Sequence, residues 1–178
     1  PYTVAVDING NEQTGTGILA LSTFGPITAG AGYFNATNLK DSGNGAAVTG
    51  DHKTIIDNGY DMYVATVQGD LDFVKLEAWY AGMQNTFGSY TLAATSNLDL
   101  AENAKIGLEA RYVNLQLNNR VSKDVLSLTS DDNSMIRLAV DGKFSIVNAR
   151  LAYTMTDKKG GLTALDQDAK NTSLGWNL

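Results

Sequence analysis

The sequence has no cysteine, two prolines and a single histidine among its 178 residues. Without cysteine there is neither a disulfide framework nor a thiolate metal site. His52 stands alone, so a histidine metal cluster and a Cys/His catalytic pair are also excluded. Charged residues are few, at 18%, and thirteen basic against nineteen acidic side chains leave a net charge of −6. That balance argues against nucleic acid as a partner. No apolar run approaches the roughly 20 residues of a membrane helix, which leaves strand-built membrane proteins untouched. Nucleotide and catalytic signatures are missing as well. "GTG" at Gly15–Gly17 and "GNG" at Gly43–Gly45 lack the strand-turn-helix setting of a phosphate loop, and no G-x-S-x-G motif is present. The sequence therefore predicts no enzyme and no cofactor.

What the chain does have is alternation. In "AKIGLEARYVNLQLN", Ala104 to Asn118, Lys105, Gly107, Glu109 and Arg111 alternate with Ile106, Leu108, Ala110 and Tyr112. A period of two is the mark of a strand with unlike faces. Ten such segments are expected: Tyr2–Ile8, Gly17–Thr23, Ile27–Phe34, Tyr60–Gln68, Leu71–Ala81, Phe87–Thr95, Lys105–Leu117, Ser134–Asp141, Lys143–Met155 and Thr172–Leu178. No amphipathic helix competes with them, and hydrophobic residues at 43% exclude general disorder. Several segments exceed the 5–6 residues usual in globular strands and match the ~9–11 of a tilted membrane strand.

The connections add a second pattern. Tight turns are expected at "FGP" (Phe24–Pro26), at Gly69–Asp70 and at Asp141–Gly142. Long polar stretches follow at Asn35–Gly59, Asn118–Asn133 and Thr156–Asn171. Short turns at one end and long loops at the other describe an antiparallel up-and-down transmembrane β-barrel. One connection breaks the rule, because Ser96–Ala104 reads as longer than Gly82–Thr86.

The tyrosines choose between a lipid-facing wall and a soluble sandwich. The apolar rows Ile27-Ala29-Ala31-Tyr33, Val74-Leu76-Ala78-Tyr80, Ile106-Leu108-Ala110-Tyr112 and Val147-Ala149-Leu151-Tyr153 each end in tyrosine towards the long loops. On strands of opposite direction Tyr63 and Tyr90 open the row. A sandwich core gives no reason for tyrosines at one level, whereas a membrane-interface girdle does. Tyr33, Tyr63, Tyr80, Tyr90, Tyr112 and Tyr153 are the expected interface aromatics. The opposite faces carry Lys75, Glu77, Lys105, Glu109, Arg111, Arg137 and Arg150, expected to line an aqueous lumen. Glu77 and Glu109 could instead form a carboxylate pair, and Asp131-Asp132-Asn133 and Asp166-Gln167-Asp168 offer oxygen ligands to Ca²⁺. Lumen charge and solvated loop acids explain these residues more simply.

Three segments carry a resemblance: "FGPITAGAGYFNATNL" (Phe24–Leu39), "IGLEARYVNLQL" (Ile106–Leu117) and "FSIVNARLAYTMTDKKGGLTAL" (Phe144–Leu165). In strand rhythm and in alanine- and tyrosine-rich outer faces they resemble bacterial outer-membrane porins, most of all the major outer membrane protein family of Campylobacter and its relatives. The resemblance implies a 16- or 18-stranded barrel in the outer membrane, a homotrimer in contact with lipid, passing ions and small hydrophilic solutes. Ten strands are too few for such a barrel, and the aromatic last residue usual in that family is missing. Residues 1–178 are therefore expected to form one incomplete barrel domain, part of a longer chain. Two other readings stay open: a small closed ten-stranded barrel serving as surface enzyme or adhesin, and a soluble secreted β-sandwich that binds a partner.

Overall fold

The computed structural model describes residues 15–37, 60–119 and 130–157. These form eight strands: β1 (Gly15–Phe24), β2 (Ile27–Thr37), β3 (Met62–Leu71), β4 (Val74–Met83), β5 (Phe87–Ala101), β6 (Ala104–Leu117), β7 (Asp132–Phe144) and β8 (Val147–Thr156). Each pairs antiparallel with the next, so the sheet order is the chain order. The strands run from ten to fifteen residues. The expected strands Tyr2–Ile8 and Thr172–Leu178 lie outside the described residues, as does His52.

Three turns move from their expected places. The β3–β4 turn is Asp72–Phe73, not Gly69–Asp70, and the β7–β8 turn is Ser145–Ile146, not Asp141–Gly142. Strand β5 continues through Ser96–Ala101 and turns at Glu102–Asn103. The connection that broke the alternation is thus a tight one, and all four turns at that end span two residues. Local preference assigned Asp, Asn and Gly to turns, but here the ladder uses them. Asp70 lies opposite Lys75, Asp99 opposite Lys105 and Asp141 opposite Arg150. The first turn stays at Gly25–Pro26, where Gly25 takes φ +57°.

Register separates two faces. On one, Tyr33 pairs with Tyr63 and Tyr80 with Tyr90, their ring centroids 5.4 and 5.1 Å apart. The Tyr33 hydroxyl donates to the Asp61 carboxylate. This tyrosine face is apolar and open, with Ile18 and Leu151 about three-quarters exposed. A soluble sheet does not leave such a band to water.

The tyrosine row also reports strand tilt. Tyr63 pairs with Gly82, two residues beyond Tyr80; Tyr90 pairs with Asn114, two beyond Tyr112. Tyr112 pairs with Ile136, which pairs with Met155, two beyond Tyr153. From β2 to β8 the row slips six residues in one direction over six strand spacings. Six residues measure ~20 Å along a strand and six spacings ~29 Å across it. Tyrosines at one level therefore require a tilt of ~35°, inside the range of roughly 35–45° for membrane barrels. Exposed Phe24, Phe73 and Phe144 mark the short-turn end. Eight residues separate Ile136 from Phe144, ~26 Å along the strand and ~22 Å in height at that tilt, close to the ~25 Å apolar band of such barrels.

Depth gives an ordering. Ala94 lies four residues below the tyrosine level and Ala110 only two. Urea titration of folding into vesicles should show Ala94→Arg costing about 2–4 kcal/mol, the midplane figure, and Ala110→Arg distinctly less. Equal costs would refute the assigned level.

Candidate functional site

The second face changes character at the tyrosine level. Towards the short turns it is polar, with Asp70, Lys75, Glu77, Asp99, Lys105, Glu109, Arg111, Arg137, Asp141, Lys143 and Arg150 in one register set. Towards the long connections it is apolar. Met62, Val64, Ala81, Met83, Leu115 and Leu117 form a buried cluster against which Phe34, Tyr60, Trp79 and Phe87 pack. Val113 and Met135 extend the buried layer. The tyrosine face inverts at the same level, becoming polar beyond it. Asn114 Nδ2 donates to Asp132 Oδ1 at 2.6 Å there. Strand β6 shows both halves in one segment: Ile106, Leu108, Ala110 and Tyr112 on one side, then Val113, Leu115 and Leu117 on the other. Its pairing with β7 stays in register from Ala104 to Gln116, so no bulge causes the exchange.

Charge on the polar part is arranged around Glu109. Its Oε1 lies 3.6 Å from Arg111 Nε, and its Oε2 lies 3.6 Å from Arg137 Nη2 and 3.5 Å from Arg150 Nη2. Arg150 Nη1 also reaches Asp141 Oδ1 at 3.4 Å. These separations exceed the 2.7–2.9 Å usual for a charge-assisted hydrogen bond, so the attraction is mainly Coulombic. The ladder explains the convergence. Arg111 and Arg137 sit directly opposite each other, a repulsive placement for like charges. Glu109 faces Ala139, which in turn faces Ala152, so short side chains leave its carboxylate room to reach two strands across. At the short-turn end Lys75–Asp70 (3.2 Å) and Lys105–Asp99 (3.1 Å) are solvated pairs, worth ~0.2–1 kcal/mol each.

All seven expected polar-face residues share that face, and all six tyrosines share the other. Asp70, Asp99, Asp141 and Lys143 join the charged set; sequence reasoning missed the acids because it read them as turn residues. Glu77 and Glu109 do not form a carboxylate pair. Trp79 Nε1 donates to Glu77 Oε2 at 3.0 Å, while Glu109 faces arginines. Nor do Asp132 and Asn133 converge on an ion, since consecutive strand residues point to opposite faces. Among the described residues no group of acids could hold a metal; Asp166-Gln167-Asp168 lie outside them.

Asn133 is the misfit of the apolar layer. It is 1% exposed, and among the described residues neither carboxamide atom has a hydrogen-bond partner. An unmet buried polar group costs about 1–3 kcal/mol. Asn133→Leu should leave stability unchanged or raise it, whereas Leu115→Ala, emptying a fully buried site, should cost about 2–5 kcal/mol. Denaturant midpoints of the two variants check this, and a strongly destabilised Asn133→Leu would contradict it.

No protein-family profile matches the chain, and no curated protein matches it. Solved structures do. The chain is similar to Acinetobacter baumannii OccAB3 (TM-score 0.65, 15% identity, covering 85% of this chain and 38% of that one). It is similar to Pseudomonas aeruginosa OprD (TM-score 0.60, 17% identity, 82% and 34%), and to the P. aeruginosa outer membrane protein OpdK (TM-score 0.59, 10% identity, 82% and 38%). It therefore spans well under half the length of these proteins. The likeness is one of fold: these eight strands are a segment of a transmembrane, antiparallel β-barrel of the kind found in outer-membrane porins.

Proposed function

We propose that this chain is part of the wall of a bacterial outer-membrane porin, a passive aqueous channel for ions and small hydrophilic solutes. The observation that carries the reading is the sidedness of the eight strands. Over ~22 Å of height they turn aliphatic side chains, bounded by tyrosine and phenylalanine, to one side, and charges of both signs to the other. In this reading the tyrosine face meets outer-membrane lipid. Lys75, Glu77, Lys105, Glu109, Arg111, Arg137 and Arg150 line the lumen, with Asp70, Asp99, Asp141 and Lys143 beside them. Charged groups of both signs on a wall facing water act on passing ions by local electrostatics and need no conformational work.

The fold likeness to porin barrels more than twice as long supports a longer wall that these strands help to close. The resemblance of Phe24–Leu39, Ile106–Leu117 and Phe144–Leu165 to the Campylobacter family supports a 16- or 18-stranded trimer as the whole assembly. Catalysis has no support in the described face, where Glu109 is held among arginines and Glu77 by an indole.

Full-length protein reconstituted in planar bilayers should show stepwise conductance. Arg150, at 48% exposure the most accessible of the three arginines, should tolerate Arg150→Glu and shift the reversal potential towards cations. Persistent absence of steps from protein that shows heat-modifiable migration on gels would contradict the channel reading.

A further inference from the structure

Removing one carboxylate from this wall should not matter equally everywhere. Asp70 and Asp99 each meet one lysine, and both partners of each pair are more than 60% exposed. Glu109 meets Arg111, Arg137 and Arg150 at once, from three consecutive strands. Its side chain is 21% exposed, and those of Arg111 and Arg137 are 7% and 13% exposed. The surrounding ladder is built for this reach. On the β7 side Glu109 faces Ala139, which faces Ala152 on β8, and Arg137 and Arg150 flank that gap on their own strands. Three guanidiniums converging on one point are the chemistry of an anion site, and here the chain's own carboxylate takes that point.

We propose that Glu109 is a specificity-determining residue of the channel, a tethered counter-anion that offsets the guanidinium field of Arg111, Arg137 and Arg150 and so limits the preference for anions. The inference rests on the porin reading given above. With Glu109 and Asp141 in place, three guanidiniums face two carboxylates and the group carries +1; without Glu109 it carries +2. Because these charges are partly withdrawn from water, they are screened less than the two solvated lysine pairs. The same loss of a carboxylate should therefore act more strongly at Glu109 than at Asp99. Ala139 and Ala152 act here as positioning residues, since a longer side chain at either would close the gap.

The test is the reversal potential of the full-length protein under a potassium chloride gradient. Glu109→Gln should raise chloride-over-potassium permeability by up to about tenfold, because one unit charge roughly 6 Å from an ion in water shifts chloride and potassium about threefold each, in opposite directions. Asp99→Asn should move it clearly less, and Glu109→Asp, which keeps the charge, should stay near the parent. Glu109→Gln combined with Arg150→Gln returns the group to +1 and should restore the parent value. A Glu109→Gln channel with an unchanged potential, or one shifted no more than Asp99→Asn, overturns the inference and leaves the channel reading standing. Absence of conductance from the parent protein overturns both. If Glu109→Gln does not fold, Arg150→Gln decides. A shift towards cations larger than that of Lys75→Gln supports the shared field, and an equal shift overturns it.

Discussion

A peptide group in hydrocarbon has no solvent to bond with, so strands that cross a membrane must pair along their whole apolar length. The six inner strands, β2 to β7, meet that demand on both edges by neighbour-to-neighbour antiparallel pairing without a crossover. Everything else follows from the period-two geometry which that pairing imposes. Each strand must offer hydrocarbon-compatible side chains at every second position, and the positions between are free to carry charge. Alanine serves the first requirement as well as leucine does, because lipid, unlike a protein core, adapts its shape to the wall. The intervening positions collect Glu109 and its three arginines without any of them entering the apolar band.

The exchange of faces at the tyrosine level is the sharpest sign that two solvents act on one sheet. Beside the proposed lipid, apolar groups point outward and charges inward; beyond the tyrosines, Asn114, Gln116 and Asp132 point outward while Val113, Leu115 and Met135 are buried inward. Beyond that level the strands follow the rule of an ordinary soluble protein, in which the hydrophobic effect packs apolar side chains away from water. Burial of Leu115 at 1% exposure within a single chain means that this layer is packed rather than open. Within one uninterrupted ladder, the chain changes which side it hides.

Much of this was legible in the sequence, for a physical reason. Alternation and tyrosine spacing are short-range and survive without knowledge of neighbours, so the strands and both faces could be read directly. Turn positions were read less well, because Asp70, Asp99 and Asp141 have turn-forming side chains and their cross-strand partners Lys75, Lys105 and Arg150 are visible only once register is known. The apolar layer beyond the tyrosines left a signal that could have been used: in "RYVNLQL" the apolar positions switch parity between Tyr112 and Val113. The convergence on Glu109 left none, since it depends on which residues stand opposite, two strands away.

The 178-residue sequence has no cysteine, so single cysteines placed along β6 can read its sidedness one residue at a time. The measurement is labelling by a membrane-impermeant, water-soluble maleimide of full-length protein folded in lipid vesicles, with cysteine placed in turn at positions 105 to 116. The account requires labelling at Lys105 and protection at Ile106, Leu108 and Ala110, then exchange of the pattern beyond Tyr112, with Asn114 and Gln116 labelled and Val113 and Leu115 protected. Labelling that keeps one parity from Lys105 to Gln116, or that reaches Leu108 and Ala110 as readily as Lys105, would contradict it.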